Sequence, residues 1–381
     1  MNQFNRALVV THIAFRKAPP YDGLEGPYSS VANSLSSGIN EVFTCQLPIS
    51  GFDKPVSFGP WKNEKNFPIP TLLGNLAILK YLTDFILVIF FAAKFSLFKR
   101  NQKLLVVGVD PLCALPLTIL KKIFGFKLVF YSVDFNKTRF KNKLMQYLYE
   151  KADEISARLS DQVWVVCQSL KDYKKSHFGV ESIYIPNSSI FDGRLYEEGK
   201  NRKTGNKMAW TGSFLTERQY DILFGLLKQI QDIRPDMEFY FAPMSNHDKF
   251  REYAQKYYLK TAQVLELHSR RQWQEFAVTC DIGIAIYDDK FGSTEFIEPL
   301  KIWDFMMCGM PFIISSEPSI STPIKESGVA YFLDRGNQIP QNNSLNEFLK
   351  KDHLEMLREK CVNLSREYEI KRQIEIATNR L

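Results

Sequence analysis

The chain has 381 residues, 45% of them hydrophobic and 24% charged, with a formal net charge of +7, which is the composition of a soluble-type globular protein long enough for about two domains. Six cysteines, at positions 45, 113, 167, 280, 308 and 361, form no Cys-x-x-Cys pair, which argues against a zinc site or a disulfide framework and for a reducing compartment. Residues 1–200 hold 25 Lys+Arg against 17 Asp+Glu, whereas residues 201–381 hold 24 against 25; yet no zinc-finger spacing, RNP-like motif or Arg-rich tract points to nucleic acid as a partner.

The apolar run at 7–10 is too short for a signal-peptide core and reads as a first buried strand at 7–12, so no export signal is expected and a cytoplasmic location is. His12 ends that strand. A loop carrying Gly23 and Gly26 leads into a helix at 28–38. The stretch 81–98 is membrane-like, but Asp84 and Lys94 cut its apolar run below the length of a span. It reads either as a core helix or as a helix lying on a membrane surface beside Lys94, Lys99, Arg100 and Lys103.

Strands are then expected at 104–109, 127–134, 162–168 and 182–186, with helices at 115–124, 141–157 and 169–177 between them. This alternation is the pattern of an α/β, doubly wound, Rossmann-like domain over residues 1–190. Asp134, at the end of a central strand, is a candidate general base; it could equally cap the following helix or pair with Arg139.

Residues 191–205 have linker composition. A second doubly wound domain is expected over 206–343, with strands at 208–212, 238–242, 264–268, 281–287, 312–315 and 329–333 and helices at 219–233, 271–279 and 299–308. Residues 344–381 read as a charged helical tail that could pack back on the first domain. Two such sheets facing each other would leave a cleft lined by the carboxyl ends of their strands.

Three strand-end loops of the second half carry polar residues suited to one ligand. The first holds Gly212 and Ser213, with Arg218 at the entry of the next helix. A glycine there admits close backbone approach, and an arginine there can hold phosphate. The second is His268-Ser269-Arg270-Arg271. The third contains Glu295, Glu298, Lys301 and Asp304, at the head of a helix that stops at Gly309. A helix N-terminus offers unpaired N–H groups and partial positive charge to an anion such as a diphosphate, and Lys301 adds a full charge.

In order, the Gly212-Ser213 turn, Arg218 six positions after that glycine, Pro299-Leu300-Lys301-x-x-Asp304 and Gly309-x-Pro311 resemble the donor-binding half of GT-B glycosyltransferases. The likeness is greatest to family 4 and its relatives in bacterial surface-polysaccharide assembly. It implies that Arg218 and Lys301 neutralise the diphosphate of a nucleoside diphosphate sugar and that Asp304 hydrogen-bonds the ribose. It also implies that the leaving group is stabilised without a metal or other cofactor, consistent with the absence of an Asp-x-Asp motif. The family's usual glutamates stand where this chain has Asp304 and Phe296; Glu295 and Glu298 flank the latter and are the candidates for the sugar hydroxyls. The Pro-Leu-Lys form resembles a subgroup that includes inverting exopolysaccharide glucuronosyltransferases, which supports Asp134 as the base. By the same likeness His12, Gly23, Gly26 and Arg139 are expected on the acceptor side.

The expected activity is therefore transfer of a sugar from a nucleoside diphosphate sugar to a carbohydrate acceptor, lipid-linked at the inner face of the membrane, with peripheral contact to that membrane. A GT-B sugar-nucleotide epimerase and a non-catalytic nucleotide-sugar-binding protein remain open alternatives.

Overall fold

A computed structural model describes residues 3–13, 27–49, 55–68, 77–98, 103–133, 135–200, 204–212, 215–287, 294–316, 318–334 and 344–381. The chain divides into two compact units, one formed by Met1–Ile190 with Ile370–Leu381 and the other by Phe191–Glu369.

The first unit contains, in chain order, β1 (Arg6–Ile13), α1 (Pro27–Ser36), β2 (Glu41–Pro48), β3 (Val56–Pro60), β4 (Lys65–Phe67), α2 (Ala77–Leu97) and β5 (Leu104–Val109). It continues with α3 (Pro111–Phe124), β6 (Lys127–Ser132), α4 (Lys143–Leu159), β7 (Gln162–Val165), α5 (Gln168–Phe178) and β8 (Ile183–Tyr184). Its sheet has the order β4-β3-β2-β1-β5-β6-β7-β8. Strands β2, β1, β5, β6, β7 and β8 run parallel, and β3 and β4 add an edge through antiparallel pairings. The near-continuous apolar β1, β5 and β6 are buried on both faces, as parallel strands covered by helices must be.

Strands β2, β3 and β4 are absent from the sequence expectation, and the reason is chemical. Thr44 and Gln46 of β2 are buried but polar, and both donate to Glu64, at 2.5 and 3.2 Å. An inward-facing polar pair satisfied by one carboxylate hides the apolar pattern of a buried strand. Helix α2 is similar. Lys80 and Asp84 are buried and hydrogen-bonded to each other, so of the two charges that interrupt the apolar run Asp84 lies inside the unit, whereas Lys94 is exposed.

The second unit contains α6 (Gly193–Lys200), β9 (Lys207–Gly212), α7 (Glu217–Ile233), β10 (Glu238–Pro243), α8 (His247–Lys256), β11 (Ala262–Val264) and α9 (Arg270–Ala277). Then come β12 (Ile282–Ala285), a 3-10 turn (Thr294–Phe296), α10 (Leu300–Met307), β13 (Phe312–Ile314), α11 (Thr322–Ser327), β14 (Ala330–Phe332), α12 (Ser344–Phe348) and α13 (Lys351–Glu367). Its six strands are parallel in the order β11-β10-β9-β12-β13-β14. Trp210, Phe224, Phe241, Phe250 and Tyr253 form an aromatic part of its core, each large buried ring contributing about 1.5–3 kcal/mol.

Of the boundaries that differ from the sequence expectation, three bear on how the units are organised. The strand expected at 264–268 is β11, which ends at Val264. The segment expected as a linker contains α6 and is tied to the second unit: Arg271 Nη1 donates to Asp192 at 2.8 Å, and the Phe191 amide donates to Glu369 at 3.1 Å. The tail is divided. Residues 344–369 pack in the second unit, whereas α14 (Ile370–Thr378) belongs to the first, where Gln3 and Gln162 donate to the Thr378 and Ala377 carbonyls at 2.8 and 3.0 Å.

Candidate functional site

In the second sheet β9 lies between β10 and β12, so successive connections leave it in opposite directions and the carboxyl end of β9 is a topological switch point. Gly212 ends this strand. Lys301, the second residue of α10, donates from Nζ to the Thr211 carbonyl at 2.5 Å. Its ammonium stands 4.9 Å from the Trp210 ring centre and 5.7 Å from that of Tyr287, which follows β12. Burial among these groups lowers the Lys301 pKa from the ordinary lysine value to about 8. A Cβ on Gly212 would lie 2.9 Å from both Lys301 Nζ and Trp210 Cζ2. The glycine is therefore what lets the cation reach the strand end.

Arg218 occupies the first turn of α7, whose start is held by a reciprocal capping pair: Thr216 Oγ1 accepts from the Gln219 amide at 3.2 Å, and Gln219 Oε1 accepts from the Thr216 amide at 2.8 Å. Arg218 and Lys301 thus both enter from helix N-termini that follow strands of the same sheet. At the head of α10 the N-cap is Pro299, which offers no side-chain acceptor to the first-turn amides. A desolvated cation beside such amides is chemistry suited to an anion.

The acidic residues have other employment. Asp304, expected at the ribose, accepts from Arg270 Nε at 3.1 Å and Nη2 at 2.6 Å, and from Gln274 Nε2 at 3.4 Å. Arg270 and Asp304 therefore pair with each other across α9 and α10. Glu298, expected at the sugar hydroxyls, is buried and accepts from Trp303 Nε1 at 3.1 Å and from the Ser321 amide at 2.8 Å. It joins the start of α10 to the start of α11. Glu295 is exposed on the 3-10 turn.

In the first unit the switch point lies between β1 and β5. His12, expected on the acceptor side, is turned inward with its side chain 5% exposed. Its Nε2 lies 3.0 Å from Asp84 Oδ2, and its Nδ1 lies 3.2 Å from the Cys113 sulfur. Burial raises the Cys113 pKa well above the ordinary thiol value, so this row of Cys, His and Asp is a buried hydrogen-bonded core, not a nucleophile. Arg139 is half-buried and pairs through Nη1 with Asp110 at 3.1 Å. Asp134, Ser213, Gly23 and Gly26 lie outside the described residues.

Asp110 is the strand-end residue that sequence reasoning missed. It follows β5 with a positive φ of 78° and an extended ψ of 144°, and caps α3 by accepting from the Leu112 amide at 2.9 Å. Strained non-glycine conformations persist only where surroundings enforce them. The available signal was Asp110-Pro111 directly after an apolar strand, an N-cap followed by proline at the first helical position.

No family model matches the chain, and no curated protein matches its sequence. Solved structures do resemble it along nearly its whole length. Sucrose-phosphate synthase from Thermosynechococcus elongatus has a TM-score of 0.67 at 11% identity, covering 99% of this chain and 98% of that one. Anabaena HepE in complex with UDP gives 0.59 at 14%, covering 99% and 100%. WaaG, a glycosyltransferase involved in lipopolysaccharide biosynthesis, gives 0.58 at 13%, covering 95% and 94%. Identities this low speak to fold alone. The chain has the GT-B fold, two doubly wound α/β units of the kind these structures share.

Proposed function

We propose that this protein is a metal-independent hexosyltransferase that moves a sugar from a nucleoside diphosphate sugar to a lipid-linked carbohydrate acceptor in cell-surface polysaccharide assembly. The single observation that carries the reading is Lys301: a cation desolvated at the switch point of the second sheet, in the first turn of a helix, against a strand end that only glycine fits. Departure of a nucleoside diphosphate builds negative charge on its phosphate oxygens, and Lys301, Arg218 and the α10 amides supply the opposite charge without rearrangement. The donor would be bound by the second unit and the acceptor by the first. HepE, with the same fold, has been captured with UDP, which supports a nucleoside diphosphate as the leaving group.

The proposed base is Asp134, which follows β6 in sequence. Asp304 is reassigned to holding Arg270, and Glu298 to the frame of α10 and α11. The test is release of nucleoside diphosphate on adding a lipid-linked saccharide to the protein with UDP-, GDP- or dTDP-sugars. Acceptor-dependent release supports transfer. Interconversion of the sugar without an acceptor identifies an epimerase instead, and binding without turnover identifies a non-catalytic binder.

A further inference from the structure

The first unit carries an exposed apolar surface that donor binding does not use. On α2, Leu82, Ile86 and Phe90 recur at four-residue spacing on the solvent side, with Ile86 64% exposed. On α3 the same spacing exposes Ile119 and Ile123, the latter 62% exposed, and on α4 it exposes Leu144 and Leu148. Helix α2 packs on α3 and α3 on α4, so the three stripes lie side by side in one helical layer. More than half of the exposed large hydrophobic side chains among the described residues belong to these three helices. Scattered exposed apolar residues need no explanation, but a continuous set on neighbouring helices marks an interaction surface.

Charge selects the partner. The exposed charged residues on these helices are Lys94, Lys122, Lys143, Lys151 and Arg158, and among the described residues the helices expose no acid. Glu154, half-buried, pairs with Lys151 and Arg158 and offsets part of that charge. A second copy of the chain would set one basic face against another. An anionic lipid surface instead accepts the apolar stripes at its acyl boundary and the lysines and arginine at its headgroups. No helix of the described residues is long and apolar enough to cross a membrane, so the contact would lie in the membrane plane.

We infer that the α2–α3–α4 face docks the protein on an anionic lipid bilayer. The inference stands on the surface of the first unit and does not depend on the donor reading of the second. The experiment is co-sedimentation of the full chain with phosphatidylcholine vesicles made with and without phosphatidylglycerol. Binding is expected only with phosphatidylglycerol and should weaken with added salt. The I86S/F90S/I123S variant should lower vesicle partition on the order of tenfold or more, and the K94E/K122E variant should remove the preference for phosphatidylglycerol. Unchanged thermal unfolding and unchanged nucleotide binding show that each variant is folded. Absence of vesicle binding by the parent chain, or full binding by the triple variant, would overturn the inference. So would a concentration-dependent dimer that the triple substitution dissolves, which would identify a second copy as the occupant.

Discussion

Arg270 donates to both oxygens of Asp304 from one edge of its guanidinium, Nε at 3.1 Å and Nη2 at 2.6 Å, and the carboxylate is almost fully buried. Removing one partner of such a pair leaves an uncompensated charge. Arg270→Ala is expected to lower stability by about 3 kcal/mol, read as a shift in the urea unfolding midpoint, whereas the paired variant R270M/D304L should recover most of that loss. If Asp304 instead serves the ribose, Asp304→Asn will raise KM for the donor while leaving the unfolding midpoint in place.

Lys301 makes donor binding depend on pH. With a pKa near 8 in the free protein, its amine is charged below that value and increasingly neutral above it. A diphosphate favours the charged form, so nucleotide affinity should fall as pH rises through about 8, and binding near pH 8.5 should take up a proton. Calorimetry in two buffers of different ionisation enthalpy measures that uptake, and Lys301→Met should abolish it together with most of the affinity. For stability the sign is opposite to that of a lysine that gains a partner. The folded value lies below the unfolded one, so the charged amine opposes folding below about pH 8, and this cost is relieved between there and the unfolded lysine pKa. Affinity independent of pH from 7 to 9 would remove Lys301 from the phosphate site.

Glu298 provides a contrast within the same segment. Its oxygens accept from Trp303 and from the Ser321 amide inside the unit. Glu298→Ala should cost about 1–3 kcal/mol by stranding those two donors, yet leave the nucleotide dissociation constant of the surviving folded protein within about twofold, roughly 0.4 kcal/mol. A loss of affinity with unchanged stability would return Glu298 to the ligand.

These residues show where sequence legibility ends. The alternation of apolar runs and amphipathic stretches was enough for two doubly wound units, because parallel strands buried on both faces and their crossover helices write their periods directly. Lys301 and Gly212 stand out in the sequence by position, one at a helix head and one at a strand end, and the structure brings the ammonium against that strand end. Their acidic neighbours were not. Asp304 and Glu298 share a helix entrance with Lys301, and only tertiary contact shows that Arg270 and Trp303 already occupy them. Likewise His12 ends a strand as a ligand residue would, but its partners Asp84 and Cys113 lie 72 and 101 positions away.

Among the ion pairs of the described residues, one that the sequence hides is also the most deeply buried. Lys174 of α5 donates to both carboxylate oxygens of Asp153 on α4, neither side chain has any exposure, and the rings of Phe130, Phe135 and Phe178 stand 5.0–5.4 Å from the ammonium. Burial pushes the aspartate pKa up and the lysine pKa down, each working against the charge that the other favours. Such a pair contributes little over apolar residues of the same volume, because desolvation offsets the attraction, but losing one member is costly. Lys174→Met should therefore destabilise the first unit by about 3–5 kcal/mol, and adding Asp153→Leu should return the urea midpoint to near or above that of the parent. A K174M protein as stable as its parent would mean that Asp153 is accommodated as a neutral acid; adding Asp153→Asn would then leave the midpoint unchanged.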